Sequence, residues 1–166
     1  MIERPVLICY DGSADARRAI EVAAELLGPR RAIVLDVAPL LTVDQGYAVA
    51  ASGAAATSFA DLNMADALRR AELGAERARR AGFTAEPRET LASCTWEGIV
   101  DVADEVGASL IVLGSRGLTG LRELLRGSVS QGVAEHAGRP VLIVPPAPRR
   151  PRRTGGRRGS AASADS

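Results

Sequence analysis

LGSRGLTGLRELLRGSVSQ, Leu113 to Gln131, follows directly on the most apolar run of the chain, SLIVLG (109–114). Its glycines at 114, 117, 120 and 127 are spaced so that bare backbone recurs ten residues apart, the second time beside Ser128-Val129-Ser130. Glycine serves where the main chain takes unusual dihedrals or where something approaches it closely. A phosphate group accounts for both halves of this pattern, and so does an ordinary loop with a glycine at each end. The choice depends on where the flanking segments place the two turns.

Working outward, strands and helices alternate. PVLICY (5–10), AIVLDV (32–37), SLIVLG (109–114) and PVLIVP (140–145) are short apolar runs without a polar face, as in strands buried on both sides. FTAEPRETL (83–91) reads as an edge strand, because Pro87 cannot serve the ladder of a central one. Ser13 is placed to cap a helix with inward positions Ala16, Ile20, Ala23, Ala24 and Leu27, which Gly28-Pro29 stops. A second helix is predicted from Asp61 to Ala81 with Leu62, Ala65, Leu68, Leu73 and Ala75 inside. A third starts at Thr95 with Ile99, Val100, Ala103 and Val106 inside, and a fourth runs from Ser128 to His136. Residues 38–60 carry no clear period and read as a long loop rich in small residues. The β-α alternation predicts an α/β fold, a parallel sheet with helices on both faces.

Composition agrees. Hydrophobic residues make up 46% of the 166 and aromatics only 3%, so the core is aliphatic. No apolar run reaches the roughly 18 residues that span a bilayer, and no signal-peptide pattern opens the chain, so a cytoplasmic location is expected. Cys9 and Cys94 read as reduced filler, and a single histidine, His136, with no Cys-x-x-Cys excludes zinc chemistry. All 21 basic residues are arginine, which removes the lysine of a P-loop. Residues 149–166 hold six Arg and one Asp, a net +5 that leaves −4 on residues 1–148 of a chain at +1 overall. The chain is thus read as one domain, 1–148, and a disordered arginine-rich tail, 149–166, able to touch nucleic acid only non-specifically.

In an open α/β sheet, ligands bind beyond the carboxyl ends of the strands where neighbouring connections diverge. With the first and fourth strands as neighbours, that point lies between YDGS (10–13) and GSRG (114–117), and Val37 forms one wall. Gly127-Ser128 at a helix start offers unpaired N–H groups, with the hydroxyls of Ser128 and Ser130 beside them. Gly114 and Gly117 let the first turn approach a phosphate chain. Asp11 then accepts from a ribose hydroxyl or reaches a bound Mg2+.

The spacing Gly114-x2-Gly117-x9-Gly127-Ser128 resembles the nucleotide-binding signature of the universal stress protein family, G-x2-G-x9-G-[ST]. VLICYDGS, SLIVLGSRGLTGLRELLRGSVSQ and RPVLIVP resemble its opening, core and closing segments, so the likeness spans residues 4–146. The resemblance implies a single doubly wound five-stranded parallel sheet of order 3-2-1-4-5, Rossmann-like and akin to adenine nucleotide alpha hydrolases. It implies a homodimer paired through Val141, Leu142, Ile143 and Val144, and a regulator of the stress response that binds ATP with Mg2+. Slow ATP hydrolysis, cyclic AMP binding and a nucleotide-free interaction module are the alternatives. Carried over by position, Asp11 and Val37 contact ribose and adenine beside Tyr10, which shapes the adenine pocket. Gly114, Arg116, Gly117, Gly127, Ser128, Val129 and Ser130 hold the phosphates.

Overall fold

A computed structural model describes residues 4–40, 51, 56–115 and 129–147. In chain order the elements are β1 (Val6–Cys9), α1 (Ala14–Leu27), β2 (Arg31–Pro39), α2 (Ala56–Arg80), β3 (Thr84–Ala92), α3 (Thr95–Glu105), β4 (Leu110–Gly114), α4 (Val129–His136) and β5 (Val141–Val144). The strands form one all-parallel sheet of order β3-β2-β1-β4-β5. In register, Val6 pairs with Ala32 on one side and Leu110 on the other. Both the doubly wound fold and the strand order agree with expectation, as does the edge position of β3.

Alternation along β1 sorts the core into two layers, because successive side chains point to opposite faces. Val6, Ile8 and Tyr10 pack with Ile20 and Ala23 of α1 and Ala75 and Ala78 of α2. Leu7 packs with Ile33, Leu35, Ile99, Val102, Ile111 and Val133, beneath α3 and α4. β1, β2 and β4 are strongly apolar because both their faces are covered, whereas the edge strand β3, TAEPRETLA, is mostly polar and only partly covered. Connections leave β1 toward β2 and β3, and the chain then crosses back to place β4 on the other side of β1.

Local chemistry sets the ends of α1. Ser13 has extended backbone and its hydroxyl accepts from the Ala16 N–H at 3.1 Å. At the other end Gly28 takes φ +66°, which ends the helix without steric cost. At the amino ends of the strands Arg139 fastens the second layer. Its guanidinium donates to the carbonyls of Ala103 at 2.7 Å and Ala108 at 2.9 Å and pairs with Asp104.

Helix α2 departs from expectation. It begins at Ala56, inside the stretch read as loop, and of its expected inward residues Ala75 is buried as expected while the leucine stripe is not the inward face. Leu62 and Leu73 are exposed, at 61% and 56%, whereas Ala67, Ala71, Ala75 and Ala78 are buried. The helix meets the sheet along small side chains, and Gly74 lies against the ring of Tyr10 and a methyl of Val34. A leucine on that face would hold the helix too far away.

Candidate functional site

At the carboxyl ends of β1 and β4 lies a cavity of about 220 Å3, at the point where connections leave the sheet in opposite directions. Its walls are apolar: Leu35 and Val37 from β2, Ile99 from α3, Leu113 from β4 and Val129 from α4. Polar groups gather around these walls: Asp11, Thr95, Ser115 and Ser130. A slot of this kind takes a flat, weakly polar ring and fixes its orientation through a few polar contacts.

Asp11 follows β1 and is held by the turn it starts. Its Oδ1 accepts from the Ser13 N–H at 2.9 Å, while Gly12 between them takes φ +83°. The backbone itself therefore aims the carboxylate, and the same turn delivers Ser13 to cap α1.

Gly114 lines the cavity, and its missing side chain has a second cause. A Cβ there would stand 2.8 Å from the backbone carbonyl carbon of Asp15 and 3.0 Å from its Cβ. The first turn of α1 therefore rests on the end of β4, and only glycine admits it. The expectation that Gly114 lets a phosphate chain approach the turn is thus joined by a packing requirement that holds without any ligand.

Of the other expected site residues, Val37, Val129 and Ser130 line the cavity. Tyr10 also borders it, but its ring belongs to the opposite layer, where it backs onto Gly74. Arg116, Gly117, Gly127 and Ser128 lie outside the described residues, as does the arginine-rich tail.

The cavity also contains groups that the sequence did not single out. Asp36 is the one polar residue among the fully buried positions described, only 5% exposed, and it pairs with Nε of Arg70 from α2. Burial pushes its carboxyl above the ordinary range and the charge of Asp11 adds to this, while Arg70 and the Val37 amide oppose the rise. Cys9 lies nearby with its thiol pushed up to about 12, first by burial and then by the charges of Asp11 and Asp36. It is a neutral wall, which agrees with its reading as filler. The chain's only histidine, His136, does not line the cavity; it stacks on Trp96 with ring centroids 4.4 Å apart. Among the described residues no group of three or more His, Cys, Asp or Glu is placed to hold a metal.

The sequence profile of the universal stress protein family matches residues 3–145. The chain belongs to the universal stress protein family. Universal stress protein YxiE of Bacillus subtilis is 31% identical over 148 residues, covering 84% of this chain and 97% of its own. The solved structure of protein MJ0577 of Methanocaldococcus jannaschii superimposes with a TM-score of 0.70 at 24% identity, over 88% of this chain and 98% of its own, a likeness of fold. A universal stress protein solved in complex with cAMP is 28% identical with a TM-score of 0.56, over 85% of this chain and 96% of its own. The family thus contains members that bind an adenine nucleotide in this fold.

Proposed function

We propose that this protein binds ATP at the crevice between β1 and β4 and acts as a nucleotide-dependent regulator in the stress response. One observation carries the reading: an apolar slot at the switch point of the sheet ends on an aimed carboxylate, Asp11, and opens toward the first turn of α4. The adenine ring stacks between Val37, Ile99 and Val129, and the ribose hydroxyls donate to Asp11. At about 220 Å3 the cavity is smaller than the ~300 Å3 floor for drug-sized ligands. It suits a nucleoside, with the phosphates extending past Ser130 at the first turn of α4.

Mg2+ fits this arrangement as an ion carried by the phosphates. With no metal cage among the described residues, one carboxylate and the phosphate oxygens are the ligands such an ion commonly takes. Catalysis is not part of the reading. The chain has no lysine, and among the described residues no histidine lines the cavity, so any ATP hydrolysis is expected to be weak. The protein pairs with a second copy through β5, where Ile143 is 39% exposed beside the half-buried Val141 and Leu142.

The relative solved with cAMP favours a second reading, in which the cyclic nucleotide occupies the same slot. Denaturing the freshly purified protein, identifying any released nucleotide by mass spectrometry, and titrating with Mg-ATP and cyclic AMP separates the two. Binding of ATP in the micromolar range supports the first reading, exclusive binding of cyclic AMP the second. Binding of neither refutes both.

A further inference from the structure

The ion pair between Asp36 and Arg70 lies beneath the Asp11 turn and joins three elements that are distant in sequence. Asp36 lies in the site half of β2 directly before Val37, and it is almost completely buried. Arg70 reaches it from α2, 34 residues further on, with two-thirds of its side chain covered. On the way its Cδ passes 3.9 Å from the point where a Gly12 side chain would start, so the arginine stem runs alongside the turn that aims Asp11. The turn is also tied from the β2 side, because the Tyr10 N–H donates to the Leu35 carbonyl at 2.8 Å.

We infer that Arg70 is a positioning residue of the nucleotide site: anchored on Asp36, it braces the Tyr10-Asp11-Gly12 turn from behind and sets the reach of the Asp11 carboxylate toward the ligand. The inference rests on the nucleotide reading above and names the part of α2 that serves it. A buried acid next to a cavity is expensive to keep unless its partner serves a purpose. Here the partner is a long cation whose stem runs beside the turn and whose Nε donates to Asp36 Oδ2. Among the described residues, Asp36 is surrounded by few groups that titrate or carry charge. They are Arg70 from α2, Asp11 from the turn and Cys9 from β1, together with the Val37 amide on its own strand.

A brace of this kind acts only through the residue it supports, which a double-mutant cycle detects. Mg-ATP is titrated calorimetrically into the full chain and its Arg70→Ala, Asp11→Ala and doubly substituted forms, with folding of each followed by circular dichroism. Arg70→Ala is expected to weaken binding about tenfold in the parent chain and less than about twofold once Asp11 is already alanine. Arg70→Lys, which keeps the cation and most of the stem, is expected to remain within about threefold of the parent. If Arg70→Ala does not fold, the pair with Asp11→Ala is built on Arg70→Gln. Unchanged affinity in folded Arg70→Ala, or penalties that multiply in the double variant, overturns the brace while leaving the nucleotide reading intact. A parent chain that binds neither Mg-ATP nor cyclic AMP overturns both.

Discussion

Gly114 and Asp15 meet so closely that a Cβ on the glycine would stand 2.8 Å from the aspartate's backbone carbonyl carbon. The end of β4 and the first turn of α1 are thereby fixed against each other at the mouth of the cavity. One residue serves both the fold and the site, so its substitution has to be read on both scales.

Gly114→Ala is accordingly expected to destabilise the chain by about 1–3 kcal/mol, the usual cost of forcing extra atoms into a close-packed contact. Backbone at Asp15 cannot swing aside as a side chain could. Urea denaturation of the purified variant measures the loss. A variant as stable as the parent would show that α1 yields at this point.

Asp36 and Arg70 give the fold a pH dependence of definite sign. The Asp36 carboxyl lies above its ordinary range when folded, so the native state holds its proton more tightly than the unfolded chain does. Stability from this group therefore falls as pH rises from the ordinary carboxylate range through the raised native value. Removing Arg70 removes the charge that restrains the rise. Arg70→Met is expected to cost about 2 kcal/mol near neutral pH, with the penalty shrinking as the solution is acidified and Asp36 takes up a proton. Thermal melts of parent and variant between pH 4 and 8 test this, and a penalty independent of pH would contradict it.

The Cys9 thiol, held near 12, is about one part in ten thousand thiolate at pH 8. In a Cys94→Ser variant, Ellman's reagent is expected to react with the native chain far more slowly than with the chain in urea. Rapid labelling of the native variant would mean that the slot opens to solvent at Cys9.

Ile143 lies on the outer edge strand and is 39% exposed, whereas Val144 beside it is buried within the chain. Ile143→Arg is expected to convert a dimer to monomer in sedimentation analysis without altering the thermal midpoint of the monomer fold. A parent chain that sediments as a monomer would remove the pairing through β5.

Four of the five strands could be read from the sequence as apolar runs closed by glycine, proline or a capping serine, since a two-layered parallel sheet leaves such runs no polar face. The polar β3 was legible as an edge through Pro87. The cap at Ser13 and the stop at Gly28 were equally local, and the structure contains both. The inward face of α2 was not legible. Leu62 and Leu73 satisfy a helical period as well as the alanines do, and only the closeness of α2 to Tyr10 and Val34 selects the small residues. At the site, Asp11 and Val37 followed from the switch-point rule, and both line the cavity. Asp36 and Arg70 did not, since a single acid in AIVLDV has no visible partner until the fold brings residue 70 to it. The close contact at Gly114 was also hidden, because the glycine signature suggested a ligand before it suggested a helix.

Hydrogen–deuterium exchange with and without saturating Mg-ATP tests the central claim most directly. Binding at the switch point is expected to slow exchange in three separated segments together: the Asp11 turn, the end of β2 at Val37, and the first turn of α4 around Ser130. Protection confined to other parts of the chain, or none at a concentration where binding is measured, would contradict the placement of the nucleotide between β1 and β4.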